Sequence, residues 1–169
     1  MFTVGILTAS DKGAAGKRKD ESGPAIAAYM EEIGGKVGKI VIVPDNRESI
    51  AAQLIEFCDH DQFDLIVTTG GTGFSKRDIT PEATMDVIER QIPGFTDVIR
   101  IKSFESNPRA ILSRAVSGIR GNSIIINLPG SPRGVKEALH IIGPSLVHGI
   151  EILKGTASEC AHDHQHHHE

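Results

Sequence analysis

The sequence predicts a doubly wound α/β domain of three layers, with a mostly parallel sheet between helices on both faces. Apolar runs alternate with segments that carry helix-start signals. Parallel strands joined by right-handed crossover helices produce this order. The run Leu65–Thr69 is continuous in apolar and β-branched residues, as expected for a strand that is covered on both faces, and Ser123–Leu128 is predicted to be a further buried strand.

The first half of the chain supplies three predicted strands and two predicted helices. Phe2–Thr8 is a compact apolar strand, whereas Lys12–Asp20 is small, polar and basic and is expected to be a flexible loop. Pro24 opens a helix that runs from Ser22 to about Ile33, because the first turn does not need the donor that proline lacks. The other elements of this half are a strand over Val37–Val43, a helix from about Arg47 to Cys58, and the strand Leu65–Thr69.

The second half continues the alternation. Thr80 and Pro81 are the expected N-cap and first residue of a helix. We expect helical structure over Phe95–Phe104 and Pro108–Arg114, and then the strand Ser123–Leu128. Ser131-Pro132 begins a further helix, which Gly143-Pro144 is expected to interrupt, and a last helix runs to about Lys154.

Composition and charge exclude several classes of protein. A chain of 169 residues fits one domain. It carries 18 Lys and Arg against 22 Asp and Glu, a net charge of −4, which is no general basis for binding a phosphate backbone. The aromatic content of 4%, without Trp, removes the usual platforms for base stacking. We therefore predict no nucleic-acid partner.

The sequence also predicts a cytoplasmic protein with no membrane partner. No apolar stretch is long enough to span a bilayer, and the N-terminal run lacks the features of a signal peptide. Cys58 and Cys160 match no CxxC spacing, which is typical of incidental thiols in a reduced intracellular protein.

We expect a single functional domain over residues 1–154 and a flexible His-rich tail over residues 155–169. Five of the eight His lie between positions 162 and 168. Imidazoles on a flexible chain chelate transition metals, but an incidental disordered tail, natural or added for purification, explains the same composition.

The strongest candidate for a binding site is the glycine-rich loop from Thr68 to Gly73. Three glycines within four residues let backbone amides turn toward an anion, and threonine hydroxyls add donors. The helix expected at Thr80 points its N-terminal amides into the same space. Neither GxGxxG nor GxxxxGK[ST] is present, which excludes the ordinary dinucleotide and P-loop motifs. The alternative is a tight turn after a buried strand.

Three acidic residues follow predicted strands or the glycine-rich loop. Asp11, Asp45 and Asp78 should lie at the same edge of the sheet, because parallel strands all end there. Carboxylates beside a phosphate-binding loop suit Mg²⁺, which prefers oxygen ligands and substrate phosphates. The alternative is that Asp45 caps the following helix and that Asp78 pairs with a neighbouring cation.

The loop Leu128–Pro132, after the last predicted strand, is a second candidate. Gly130 permits close approach of the backbone, and Ser131 either caps the next helix or binds a ligand. Positive charge near these loops is available from Lys12, Lys17, Arg18, Lys19, Lys76, Arg77, Arg114 and Arg133. The basic segment Lys12–Lys19 either closes over an anionic substrate or is simply solvated.

These motifs resemble the molybdopterin adenylyltransferases of molybdenum cofactor biosynthesis, the Mog/MoaB family, which is related to the G domains of gephyrin and plant Cnx proteins. The resemblance runs from the first strand to about Lys154 and implies the molybdopterin-binding fold. The motifs that carry it are Thr8-Ala9-Ser10-Asp11, Pro44-Asp45, Thr69-Gly70-Gly71-Thr72-Gly73, Arg77-Asp78-Ile79-Thr80-Pro81-Glu82-Ala83, Ile111-Leu112-Ser113-Arg114 and Leu128-Pro129-Gly130-Ser131-Pro132.

The resemblance implies a Mg²⁺-dependent reaction in which the terminal phosphate of molybdopterin attacks the α-phosphorus of ATP. Asp45 and Asp78 match the important acids of the family, for metal binding or substrate orientation, and the sequence does not decide which acid does which. The implied ligand-binding residues are Gly70, Gly71, Thr72 and Gly73 for phosphate or pterin, and Ser10, Asp11, Ser113, Gly130 and Ser131 along the pocket. Because aromatic residues are few, the pterin is expected to be held by carboxylate, hydroxyl and backbone hydrogen bonds.

The resemblance also implies a homotrimer and a separate protein for molybdenum insertion. Two other functions stay open at this point. One is a molybdopterin-binding or carrier protein of the same fold, MoaB-like and without adenylylation activity. The other is a scaffold like the G domain of gephyrin, which a chain without a second multivalent module does not favour.

Overall fold

The computed structural model describes residues 1–157, and its six strands form one sheet. The strands are β1 (Phe2–Ala9), β2 (Gly35–Val43), β3 (Leu65–Thr69), β4 (Arg90–Gln91), β5 (Ser117–Arg120) and β6 (Ser123–Leu128). Their order in the sheet is β2-β1-β3-β6-β5-β4. The first four strands of this order are parallel, whereas β5 is antiparallel to β6 and β4 to β5.

Six α-helices accompany the sheet in the described residues. They are α1 (Asp11–Ala14), α2 (Ser22–Glu32), α3 (Arg47–Ile55), α4 (Thr80–Val87), α5 (Pro93–Ser106) and α6 (Pro132–Lys154). A π-helical turn, Glu56–His60, continues α3, and a 3-10 helix, Pro108–Leu112, follows α5.

The sheet separates two hydrophobic cores. Along β1 the side chains of Val4 and Ile6 belong to one core, which also contains buried residues of α2, α5 and α6. Leu7 and Ala9 belong to the other core, with buried residues of α3 and α4. Helices therefore cover both faces, and the predicted doubly wound α/β fold is confirmed.

The order of the strands places a crevice at the carboxyl end of β1. From β1 the chain goes to β2 on one side, and β3 pairs with β1 on the other side. The connections that follow the neighbouring strands β1 and β3 lead to opposite sides of the sheet, and this opens a crevice between their carboxyl ends, where doubly wound domains bind ligands. The loops after β1 and β3 line this crevice.

The predicted interruption at Gly143-Pro144 is wrong, because α6 is continuous through both residues. A proline inside a helix removes one backbone hydrogen bond and costs about 3 kcal/mol. Helix α6 nevertheless buries residues on both sides of Pro144, from Val135 to Ile150. Burial of this long apolar face outweighs the local cost, since packing usually decides whether a helix forms.

Other local features also differ from the predictions. The segment Lys12–Asp20 is not a loop throughout, because Ser10 Oγ accepts a hydrogen bond from the Gly13 amide at 2.9 Å and caps the short α1. The helix predicted to reach Cys58 changes to π-helical geometry after Ile55. The strands β4 and β5 were not predicted, since both are short and partly polar.

Most of the predicted tail, residues 158–169, lies outside the described residues. The domain boundary at residue 154 therefore stays a prediction. Within residues 1–157 none of the helices combines the length and apolarity needed to cross a membrane.

Candidate active site

The glycine-rich loop after β3 adopts a conformation that requires glycine. Gly70 and Gly71 have φ angles of +91° and +68°. A Cβ on Gly70 would lie 2.4 Å from the carbonyl oxygen of Ala9, and one on Gly71 would lie 2.4 Å from Thr80 Oγ1. In the described chain the amides of Gly71 and Gly73 donate no hydrogen bond, so both donors are available to an anion.

A cavity of about 320 Å³ lies at the crevice beyond β1 and β3. We call it the first cavity. Its lining residues are Thr8, Ala9, Ser10, Gly13, Arg18, Lys19, Asp20, Glu21, Ser22, Asp45, Thr69, Gly70, Gly71, Asp78, Gly130 and Pro132. The structure thus brings six predicted residues together here, including both acids that the resemblance singles out.

Asp45 faces this cavity and does not cap the helix that follows it. The cap of α3 is Asn46, whose Oδ1 accepts a hydrogen bond from the Ser49 amide at 2.9 Å. Burial raises the pKa of the Asp45 carboxyl above its ordinary value, and the negative charges of Asp11 and Asp78 raise this pKa further. A bound cation would relieve this unfavourable charge.

Asp78 reaches the first cavity from the far end of the glycine-rich loop. Its Oδ2 accepts a hydrogen bond from the Ser75 amide at 2.9 Å. In the described residues it forms no ion pair with Lys76 or Arg77. The carboxylate is therefore held by its own loop and has one oxygen, Oδ1, for which the described residues provide no hydrogen-bond donor.

Asp11 is not among the residues that line the first cavity. Its carboxylate binds Arg77 through two hydrogen bonds, Nε to Oδ2 at 2.9 Å and Nη2 to Oδ1 at 2.8 Å. The Arg77 guanidinium lowers the pKa of Asp11. The Asp11 carboxylate is therefore paired with Arg77 at the rim of the site, whereas Asp45 and Asp78 line the first cavity.

A second cavity of about 260 Å³ adjoins the first and shares Gly130 with it. Its lining residues are Thr72, Gly73, Ile99, Arg100, Ser103, Asn107, Arg109, Ala110, Leu112, Ser113, Pro129, Gly130, Ser131, Gly134 and Glu137. The remaining predicted residues, Thr72, Gly73, Ser113 and Ser131, all lie here. Ser131 also caps α6, since its Oγ accepts a hydrogen bond from the Gly134 amide at 3.1 Å.

Four of the predicted cations lie at the first cavity or in ion pairs with nearby acids. Arg18 and Lys19 line the first cavity and make no ion pair within residues 1–157. Arg77 and Arg114 are instead paired with Asp11 and Glu82. Of these four, Arg18 and Lys19 are therefore available to neutralise the charge of an anion in the first cavity.

Two functional candidates were not predicted. Asp20 lines the first cavity and accepts hydrogen bonds from Thr8 Oγ1 at 3.0 Å and from the Gly23 amide at 3.1 Å. Its position three residues before Gly23, at the start of a helix, is a capping signal that the sequence does contain. Glu82 binds Arg114 across 32 residues of sequence, and no local pattern reveals such a contact.

The donors of the first cavity fit a divalent cation that prefers oxygen. Asp45 and Asp78 offer carboxylates, and the pKa of Asp45 shows that their charges interact. Thr80 Oγ1, next to Gly71, is buried and has no hydrogen-bond partner among residues 1–157. Elsewhere, Glu56, His60 and Asp61 lie close enough together to share a metal, but Lys39 Nζ already contacts Asp61 Oδ1 at 2.6 Å.

The fold and the two adjoining cavities define a doubly wound domain with a cleft at its switch point, which is where domains of this class bind ligands. Residues 5–148 match the family model described as "Probable molybdopterin binding domain". The chain belongs to this family, which confirms the resemblance read from its motifs.

Similar proteins agree with this assignment. The chain is 43% identical over 154 residues to a molybdopterin adenylyltransferase of Helicobacter pylori, an alignment that covers 90% of this chain and 88% of that protein. It is 39% identical to the molybdenum cofactor synthesis protein cinnamon of Drosophila melanogaster, covering 90% of this chain and 26% of that one. The crystal structure of the molybdopterin biosynthesis enzyme MoaB from Thermus thermophilus superposes with a TM-score of 0.87 at 42% identity, covering 92% of this chain and 98% of that chain.

Proposed function

We propose that this protein is a molybdopterin adenylyltransferase of molybdenum cofactor biosynthesis. It transfers the adenylyl group of ATP to the terminal phosphate of molybdopterin and releases pyrophosphate. The observation that carries the proposal is the pair of cavities that meet at Gly130, one lined by acids and cations and the other largely by uncharged residues. Two neighbouring spaces of different character suit a reaction between two bound substrates.

The first cavity suits the phosphates of ATP. Arg18 and Lys19 supply positive charge, and the unengaged amide of Gly71 supplies a hydrogen-bond donor. Donors that are fixed in place stabilise the charge of a transferring phosphoryl group without having to reorganise. These groups orient the α-phosphorus and neutralise part of the charge on the leaving pyrophosphate.

Asp45 and Asp78 are the residues that would hold Mg²⁺ in this cavity. The bound ion supplies positive charge and a fixed geometry for the phosphate oxygens. The protein itself holds the two carboxylates, Asp45 at the end of β2 and Asp78 in the glycine-rich loop. Transfer of this kind needs positioning and charge stabilisation and little covalent chemistry from the protein, and neither cavity is lined by Cys or His.

The second cavity suits the pterin ring system. Ile99, Leu112 and Pro129 offer apolar surface, while Ser113 and Glu137 offer polar atoms at separate points. A pterin needs an acceptor for its amidine edge, and the Glu137 carboxylate is the acid in this lining. The terminal phosphate of the pterin would then lie near Gly130, facing the first cavity.

The proposal is tested by mixing the protein with molybdopterin, ATP and Mg²⁺ and measuring pyrophosphate. We expect stoichiometric formation of adenylyl-molybdopterin and pyrophosphate. Tight binding of the pterin without pyrophosphate would support the carrier function and contradict the enzyme. The presence of both Asp45 and Asp78 in one cavity favours the enzyme.

The proposal also includes the oligomeric state, the cellular location and the partner of the protein. We expect a cytoplasmic homotrimer that passes its product to a separate molybdenum-insertion protein, as the family resemblance implies. Light scattering during gel filtration tests the trimer, and a mass near three times 18.1 kDa is the expected result. A fully active monomer would contradict the proposal that the protein works as a homotrimer.

A further inference from the structure

Arg114 uses every nitrogen of its guanidinium inside the protein. Its Nε donates to the carbonyl oxygen of Gly73 at 2.8 Å, and its Nη2 donates to the carbonyl oxygen of Asp78 at 2.8 Å. Its Nη1 donates to both carboxylate oxygens of Glu82. The main-chain amide of Arg114 donates to the carbonyl oxygen of Thr72 at 2.9 Å.

These bonds join the two ends of one loop. The guanidinium bonds the segment 72–78 near its start, at Gly73, and at its end, at Asp78. No helix or strand lies between these two residues. Among the described residues, Arg114 is the one side chain that bonds to carbonyls of this segment. The loop that carries Asp78 therefore closes on Arg114.

Arg114 is itself held to a helix. The Arg100 side chain, on α5, donates to the carbonyl oxygens of Ser113 at 3.3 Å and Ala115 at 2.9 Å. Both neighbours of Arg114 are thus tied to α5. The contact chain runs from a regular helix through Arg114 to the glycine-rich loop, and both cavities receive residues from that loop.

We propose that Arg114 is a positioning residue for the adenylyl transfer, which holds Asp78 in the first cavity and Thr72 and Gly73 in the second. This inference rests on the proposed function. A guanidinium is a planar fork whose donors point in fixed directions, so that one side chain fixes three acceptors at once. Because Glu82 already balances its charge, Arg114 acts on the loop and not on the substrate phosphates.

The test compares Arg114→Lys with Arg120→Lys. Lysine keeps the charge and can still pair with Glu82, but one ammonium group cannot reproduce the fork that holds both Gly73 and Asp78. Arg120 is a matched control on β5, because its guanidinium binds Asp59 at 3.0 and 2.7 Å and the Val87 carbonyl at 3.0 Å. It lines neither cavity.

We expect kcat of Arg114→Lys to fall about 100-fold, the effect that a displacement of about 1 Å has on a reaction between positioned groups. The KM for ATP should change less than about threefold, because Arg18, Lys19 and the Gly71 amide are untouched. Arg120→Lys should keep kcat within about twofold. Both variants should lose similar thermal stability, since each loses comparable bonds.

A binding measurement separates positioning from turnover. Mn²⁺ affinity, measured by electron paramagnetic resonance with a non-reactive ATP analogue, should weaken about tenfold or more in Arg114→Lys and stay unchanged in Arg120→Lys. If Arg114→Lys does not fold, Glu82→Gln replaces it, and there we expect kcat and Mn²⁺ affinity to fall about fivefold.

Normal kcat and normal Mn²⁺ affinity in Arg114→Lys, or in Glu82→Gln where the first variant does not fold, would overturn the proposal. Equal losses of kcat in the Arg114 and Arg120 variants would overturn it too, because activity would then follow stability alone. If the unmodified protein releases no pyrophosphate, the proposed function fails, and the Mn²⁺ measurement alone decides the role of Arg114.

Discussion

Asp11 and Asp45 each bind the main chain of the other. The Asp11 amide donates to Asp45 Oδ2 at 3.0 Å, and the Asp45 amide donates to Asp11 Oδ1 at 3.0 Å. The two residues follow neighbouring parallel strands, so this exchange joins the ends of β1 and β2. It fixes the direction in which Asp45 enters the cavity, and it gives Asp11 a structural task that is distinct from ligand binding.

Replacement of Asp78 by Asn should abolish turnover and leave the fold intact. The amide oxygen can still accept the hydrogen bond from the Ser75 amide, but the charge for a cation is lost. We expect kcat to fall by about 10³-fold, a typical cost of removing one electrostatic group from a site. Pyrophosphate release and circular dichroism give the two measurements.

Asp86→Asn is the matched control for that variant. Asp86 lies on α4, pairs with Arg47 and lines neither cavity. Its activity should equal that of the unmodified protein. Full activity in Asp78→Asn would contradict the assignment of this acid to the metal site.

Asp45→Asn should lower activity and raise the stability of the protein at neutral pH. The folded protein raises the pKa of Asp45, chiefly by burial, so ionisation of this group favours the unfolded state. The destabilisation caused by ionised Asp45 is fully present above the pKa that Asp45 has in the folded protein. It disappears as the pH falls toward the ordinary pKa of 3.8. The stability advantage of the variant should shrink over the same range in urea titrations.

Asp59→Asn should change the stability at neutral pH in the opposite direction to Asp45→Asn. The hydrogen bonds from Arg120 lower the pKa of Asp59, so its ionised form favours the folded state at neutral pH. That variant should be less stable near pH 7, with the loss fading as the pH falls through the lowered pKa. Parallel pH dependence in the two variants would be inconsistent with burial of the Asp45 charge.

Gly70→Ala should destabilise the protein more than Gly16→Ala. Both glycines have φ near +71° to +91°, a conformation that costs other residues about 1–2 kcal/mol. A Cβ at Gly16 meets no atom within 4 Å, whereas one at Gly70 lies 2.4 Å from the Ala9 carbonyl oxygen. We expect an additional loss of about 2 kcal/mol at Gly70.

Urea unfolding measures that difference directly. Each kcal/mol corresponds to about 2–4 °C in the unfolding temperature of a domain of this size. Equal losses at the two positions would show that the loop after β3 moves freely away from β1, and the close approach of the two strand ends would then not constrain the site.

Arg77→Gln should reduce activity without much effect on stability. Arg77 is the cation that binds Asp11 beside Asp45, and its loss leaves these two acids without this neutralising charge. We expect kcat to fall about tenfold. The unfolding temperature should stay within about 2 °C of the unmodified protein, because exposed ion pairs contribute little.

Arg47→Gln is the matched control, because it removes the same kind of ion pair at a position away from the site. Arg47 binds Asp86 through Nε and Nη2, both at 2.7 Å, away from either cavity. Its kcat should be unchanged. If both arginine variants lose activity equally, the effect belongs to surface charge in general and not to the acids of the site.

The parallel strands and the loops of the site could be predicted because their signals are local. Leu65–Thr69 is an unbroken apolar run, and three glycines follow it within four residues. The two-residue β4 and the short β5 have no such signal, since pairing with β6 creates them. The sequence predicted an interruption at Pro144 because the residues against which α6 packs lie in other segments of the chain, and this packing keeps the helix continuous.

Long-range contacts account for the rest. The bond between Arg77 and Asp11 spans 66 residues, and the one between Arg114 and Gly73 spans 41. The sequence predicted positive charge from these residues near the site but did not identify the partners that bind them. Only the fold shows that protein carboxylates and carbonyls already occupy them.

Asp64 brings the beginning and the end of the described chain together. Its Oδ2 accepts hydrogen bonds from the Thr3 amide at 2.8 Å and from Lys154 Nζ at 3.0 Å. Asp64 precedes β3, so this meeting point lies at the amino-terminal edge of the sheet, whereas both cavities lie near the carboxyl-terminal edge. Thr3 and Lys154, near the two ends of the described residues, therefore lie on the side of the sheet away from both cavities, so the described chain begins and ends without crowding the site that its middle builds.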